Sequence, residues 1–115
     1  MSNQERIELL EAYKLKERFI LDDWEDRELE MPIPEIVELM RLEVLKFANF
    51  LISQLKIDVS NFQTQTQLYF NAWDNEFFDH DQTEFIVEME YEAMRIAGVD
   101  GDKMVIWLLL IQFTV

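Results

Sequence analysis

Hydrophobic residues recur every three or four positions from Pro32 to Ile57, the spacing that places them on one side of an α-helix. This apolar side is broad enough to be covered by several neighbouring elements, while polar residues collect on the opposite side. Pro34 suits the first helical turn, where its missing N–H would have had no partner. The pattern therefore predicts a central helix at about residues 33–57, on which the other elements pack.

Two further segments also have helical periodicity. Ser2 and Glu5 have the spacing of a capping box and predict a first helix that continues to about Glu28. A second segment, from about residue 60 to Phe77, carries its aromatic residues on one helical face. Residues 62–68 also alternate with the period of a strand, but the helical spacing that continues to Phe77 favours a helix.

The segment Gln82–Ala97 is the clearest amphipathic helix after the central one. Asp79 or Asp81 is suited to cap its beginning, and Gly98 is suited to end it in the left-handed conformation. The pattern assigns to its apolar side Phe85, Ile86, Met89, Ala93, Ile96 and Ala97. It assigns to its polar side Glu84, Glu88, Tyr91, Glu92 and Arg95.

The C-terminal residues 103–115 are apolar on every side from Met104 onwards, so periodicity leaves helix and strand equally open. Exposed, such a segment would promote aggregation, and we expect it to be buried in the monomer core or covered by a second copy in a homodimer. The whole pattern predicts an all-α protein: one domain, residues 1–115, forming a compact bundle of four to five helices.

The composition excludes several chemistries. The chain has no cysteine, one histidine (His80) and two glycines, which removes disulfides, thiolate or multi-histidine metal sites, and a glycine-rich phosphate loop. An EF-hand register that begins at Asp79 fails because Glu84 falls where the loop needs glycine. We therefore predict no enzyme activity, no cofactor and no metal. The start lacks a signal peptide and no apolar run is long enough to span a membrane, which favours a cytoplasmic location.

The net charge of −14 is concentrated in one part of the chain, since residues 58–102 hold eleven acids and one base. Such a field repels nucleic acid and anionic membranes and speeds encounter with a basic protein. Solvated acidic surface that serves only solubility is the simpler alternative. The candidate partner-binding residues are Asp74, Asp79, Asp81, Glu84, Glu88 and Glu92.

The segment from Trp73 to Gly98 combines an aromatic helix end, an acidic turn at Phe78–Glu84 and an acidic amphipathic helix that closes in Ile96-Ala97-Gly98. In this it resembles small, acidic, all-helical bacterial proteins, which include uncharacterised families and immunity proteins that neutralise toxins. The resemblance implies a cytoplasmic inhibitor without catalysis.

Together these features predict a non-enzymatic inhibitor or immunity protein that neutralises a basic toxin or nucleic-acid-binding protein. Its carboxylates would stand where the phosphates of a nucleic acid would stand. The alternative is a homo-oligomeric structural module, or a subunit of an assembly, that uses the apolar C-terminal segment as its interface.

Overall fold

The computed structural model of the protein describes residues 1–58 and 60–104, which form five α-helices and a short 3₁₀ helix and contain no strand. The prediction of an all-α bundle of four to five helices is confirmed. The α-helices are α1 (Asn3–Lys14), α2 (Leu21–Asp26), α3 (Pro34–Ile57), α4 (Phe62–Asn71) and α5 (His80–Ala97), and the 3₁₀ helix is Gly101–Lys103.

The predicted central helix is α3, which begins at Pro34 and packs against both α1 and α5, while α1 and α5 also pack on each other. The apolar side read from the sequence is the side that the fold buries. The fully or nearly buried residues of α3 are Val37, Met40, Val44, Phe47, Ala48, Leu51, Ile52 and Leu55.

The prediction of one continuous helix from Ser2 to Glu28 is wrong, because the helix stops at Lys14 and a new one starts at Leu21. In a continuous helix Phe19 would face away from Leu10, since nine residues turn the helix by two and a half revolutions. The break allows both residues to be fully buried. Phe19 adopts a positive φ of 60°, a conformation that non-glycine residues rarely take.

The predicted helix from residue 60 to Phe77 is shorter than expected, since α4 ends at Asn71. Its aromatic face is confirmed: Phe70 and Tyr69 place their rings 5.3 Å and 5.1 Å from the ring of Phe47 on α3. Phe77 lies beyond the helix and is 66% exposed. The side chain of Asp74, which accepts a hydrogen bond from the Glu76 backbone at 3.0 Å, turns the chain there.

α5 begins at His80, two residues before the predicted start at Gln82, and ends at Ala97 as predicted; of the two candidate caps, Asp79 takes the position. Asp79 accepts a hydrogen bond from the backbone of Gln82 at 2.8 Å, and the Gln82 side chain accepts one from the Asp79 backbone at 3.0 Å. Gly98 ends the helix with φ of 84°, as predicted. The side chain of Arg6 on α1 then donates to the carbonyl of Ile96 at 2.9 Å, which fastens this end of α5 to the first helix.

Among the described residues, no helix combines the length and the apolar character that crossing a bilayer requires. The prediction that the C-terminal segment is buried as a helix or strand concerns residues that lie outside the described part, apart from its first members. Of these, Met104 is buried and Lys103 belongs to the 3₁₀ helix.

Candidate functional site

Two acidic segments that are distant in sequence meet on one side of the protein. Residues 22–30 hold six acids and one base, and residues 74–92 hold eight acids, of which Glu90 is buried, and neither lysine nor arginine. Arg27 joins them: its guanidinium donates to both carboxylate oxygens of Glu88, at 2.6 Å and 3.1 Å. The same guanidinium lies over the ring of Phe85, 4.2 Å from its centre. We call this side, formed by residues 22–30 and 74–92, the acidic face.

The pKa of Arg27 reflects the carboxylates that surround it. Hydrogen bonding to Glu88 raises the pKa of Arg27, although its partial burial acts in the opposite direction. The charges of Glu88, Glu84 and Asp81 raise it further. The single arginine of the acidic face therefore lies in the field of several carboxylates, which it cannot neutralise alone.

A groove of about 370 Å³ runs across the acidic face beside the beginning of α5. Glu30 from the connector before α3 lines it together with Asp79 and Asp81. Its lining also includes Trp24 of α2, which is almost completely buried, and Ile33, which is 63% exposed. The groove therefore combines carboxylates with apolar surface, the combination that protein interfaces use.

The structure gives the six predicted binding residues different roles. Glu84, Glu88 and Glu92 lie on α5 but each has a basic neighbour: His80 at 3.5 Å, Arg27 at 2.6 Å and Lys16 at 3.3 Å. Asp79 caps α5 and Asp74 stabilises the turn after α4. Asp81 is exposed and forms no hydrogen bond or ion pair with another described residue. Five of the six thus have a local structural partner in addition to any binding role.

His80, Asp81 and Glu84 bring three potential metal ligands together, with ligand atoms within 4.8 Å of one another. The three lie in the first turn and a half of α5, where the helix dipole presents its positive end. That field opposes a cation and favours the carboxylates themselves. The arrangement therefore fits the capping of a helix better than it fits a metal centre.

Sequence reasoning missed a buried carboxyl group at the centre of the bundle. Glu90 on α5 is 0% exposed, and neither of its carboxylate oxygens has a hydrogen-bond partner among the described residues. Burial raises the pKa of Glu90 well above its usual value, and the nearby charge of Glu43 adds to the effect, while Lys46 opposes it. Glu90 stands four residues after Ile86 and four before Met94, so helical spacing alone would have placed it on the buried side.

Glu43 on α3 is the carboxyl group whose charge acts on Glu90. It accepts a hydrogen bond from the Tyr69 hydroxyl at 3.0 Å, and burial raises its pKa. Burial also raises the pKa of Tyr69, which therefore stays a hydrogen-bond donor. Because Glu90 is closed off from solvent, its carboxyl group cannot meet a dissolved substrate.

No protein-family model, no curated protein and no solved structure matches this chain. Its function therefore has to be argued from its own geometry and charge.

Proposed function

We propose that the protein is a non-enzymatic binding protein whose acidic face neutralises a basic partner, such as a toxin or a nucleic-acid-binding protein. The observation that carries the proposal is the convergence of residues 22–30 and 74–92, which adds a second acidic segment to the one predicted from the sequence. Carboxylates presented together can occupy a cleft that binds phosphates, and their field speeds the encounter.

Exposed apolar residues beside the carboxylates favour a protein as the partner. Phe77 projects from the connector between α4 and α5 with 66% of its surface exposed, between Asp74 and Asp79 in sequence. Ile33 is similarly exposed in the lining of the groove. Interfaces are typically held by a few apolar or aromatic anchors that are surrounded by polar residues. A simple counter-ion would need no such anchors.

The test reverses three carboxylates on the acidic face that form no ion pair with a described Lys or Arg: Glu30→Lys, Asp81→Lys and Glu84→Lys in one variant. Glu88 is left intact because its loss would break the ion pair with Arg27. The matched control, Glu8→Lys, Glu11→Lys and Asp102→Lys, makes the same change in net charge on other surfaces.

Immobilised wild type and both variants are exposed to a lysate of the source organism and eluted with increasing salt. We expect the wild type and the control to retain the same basic protein, released by salt, and the acidic-face variant to bind it at least about tenfold more weakly. Circular dichroism should show equal helicity for all three proteins. Equal retention by both variants would contradict the proposal.

The structural alternative, self-assembly through the apolar C-terminal segment, concerns residues outside the described part of the chain. Light scattering of the same samples separates the two proposals. A stable dimer that retains no basic protein would favour the structural module, whereas a monomer that retains one favours the inhibitor.

A further inference from the structure

A basic cleft lies on a different surface of this strongly acidic protein. It has a volume of about 360 Å³ and forms where α1 ends and the connector to α2 passes α3. Four of the chain's ten basic residues line it: Lys14, Lys16, Arg18 and Arg41. Glu17 is the single acid among the lining residues. The formal charge of the lining is therefore positive in a molecule whose net charge is −14.

Arg18 is the central observation, because it is a buried cation that has no counter-ion among the described residues. It is only 7% exposed, and no described carboxylate lies close enough to form an ion pair with it. Its guanidinium donates instead to the backbone carbonyls of Lys16, at 3.0 Å, and of Tyr13, and it stacks on the Tyr13 ring at 3.8 Å. Its Nε has no hydrogen-bond partner in the described part of the chain. Buried charges in proteins are normally paired, so this one calls for an anion.

Arg41 is fixed in the same way, by a backbone carbonyl. Its Nε donates to the carbonyl of Arg18 at 3.0 Å, and its Nη1 approaches the exposed Glu38 only to 3.7 Å. The two lysines form surface ion pairs, Lys14 with Glu11 and Lys16 with Glu92. Surface pairs of this kind contribute little to stability. Two guanidinium groups are thus already oriented, with two lysine ammonium groups beside them.

We propose that this cleft binds a small anion through a phosphate or carboxylate group. Arginine offers several N–H donors in a planar arrangement that matches both groups, and two pre-oriented arginines lower the entropy cost of binding. Leu15 and Leu45 also line the cleft and provide apolar surface for an organic part of the ligand. The volume lies at the small end of the range for ligand pockets, which fits a molecule of metabolite size.

The charge of the whole protein selects a small ligand over a polyanion. At physiological salt the electrostatic potential of distant acids is screened within about 8 Å. The potential that acts on a small anion inside the cleft therefore comes mainly from the bases that line it. A nucleic acid would extend beyond the cleft onto acidic surface and would be repelled along its length. The cleft meets the acidic face at the ion pair between Lys16 and Glu92, but the variants that test the two proposals change different residues, so either proposal can fail without the other.

The test is titration calorimetry at constant ionic strength with three probes: inorganic phosphate, phenyl phosphate and benzoate. The variant Arg41→Gln keeps a polar side chain at a partly exposed position and spares Arg18, whose loss endangers folding. Lys16→Gln is a second variant on the exposed rim, and Lys56→Gln, an exposed base at the end of α3, is the matched control.

We expect at least one probe to bind the wild type, with affinity at least about tenfold lower for Arg41→Gln, lower for Lys16→Gln, and unchanged for Lys56→Gln. Backbone amide NMR shifts should change at residues 14–18 and 41. Tighter binding of phenyl phosphate than of inorganic phosphate indicates an organic phosphate as the ligand, equal binding indicates the free ion, and a preference for benzoate indicates a carboxylate. No shifts at residues 14–18 with any probe, or equal losses in Arg41→Gln and Lys56→Gln, would overturn the proposal.

Discussion

At the scale of single residues, the most consequential side chain is Glu90. A carboxylate that is removed from water and has no hydrogen-bond partner among the described residues is costly, so burial favours the protonated form and raises the pKa of Glu90. Glu43 lies close enough to raise the pKa of Glu90 further, since two negative charges in one interior repel each other. The bundle thus holds an ionisable carboxyl group at its centre, where an apolar residue would be the ordinary choice.

Because burial raises the pKa of Glu90, we expect the free energy of unfolding to depend on pH. Below the ordinary glutamate pKa of 4.5 both the folded and unfolded states hold the proton, and ionisation of Glu90 has no effect on stability. Above that pH the unfolded state releases the proton first, so the free energy of unfolding falls as pH rises, until the raised pKa of the folded state is reached. Glu43 acts in the same direction.

Replacing Glu90 by leucine tests this argument. We expect Glu90→Leu to raise the free energy of unfolding at pH 8 by about 1–3 kcal/mol, because it removes a buried polar group without a partner. The gain should shrink towards pH 4.5 in urea denaturation series measured at several pH values. Glu84→Gln, on the partly exposed side of α5, is the control and should change stability little. A Glu90→Leu protein that is less stable than the wild type at pH 8 would contradict the argument.

At the scale of the elements, the ends of helices decide where the functional surfaces lie. The break after Lys14 turns Phe19 into the core, where its ring packs 4.8 Å from that of Phe85. Trp24 follows it, with its ring 5.2 Å from the same phenylalanine. This packing brings α2 against α5 and so creates the acidic face. The connector between α1 and α2 contributes residues to the lining of the basic cleft. One interruption of a helix therefore produces both candidate sites.

The end of α5 gives a prediction at this scale. Gly98 has φ of 84°, and a Cβ added there would lie 2.5 Å from Nη1 of Arg6. We expect Gly98→Ala to lower the free energy of unfolding by about 1–2 kcal/mol, measured by urea denaturation, because L-residues are strained in the left-handed region.

A double-mutant cycle with Arg6→Ala separates the two causes of this loss. If the backbone conformation is responsible, Gly98→Ala should cost the same with and without the Arg6 side chain, since that flexible group can move aside. A cost that vanishes in the Arg6→Ala background would show that the contact, and not the backbone, is responsible.

At the scale of the whole molecule, charge is distributed unevenly. The net charge of −14 arises mainly from acids that the fold gathers on the acidic face, and the basic cleft keeps a separate group of cations. Repulsion among the acids opposes folding, and the ion pairs between described residues lie mainly at the surface, where they contribute little. The surface charge therefore lowers the stability of the folded protein.

Salt should consequently stabilise this protein. We expect the Tm to rise when NaCl is increased from low concentration to about 0.3 M, because screening weakens the repulsion more than it weakens the few surface ion pairs. The acidic-face variant with three reversed charges has a net charge of −8 and should show a smaller rise. Differential scanning calorimetry measures both, and a Tm that falls with added salt would contradict this account.

The sequence by itself determined the all-α class, the central helix α3, the end of α5 at Gly98 and the sign of the surface charge. These follow from local spacing, capping chemistry and composition, which do not depend on distant residues. The break at Lys14, the early end of α4, the pairing of Arg27 with Glu88 and the cleft around Arg18 were decided by the tertiary structure. Each depends on which side chains fill the core together, and helical period alone cannot encode contacts between segments distant in sequence. Glu90 depends on both: its helical spacing is that of the buried side of α5, but only the packed bundle leaves its carboxyl group without a hydrogen-bond partner among the described residues.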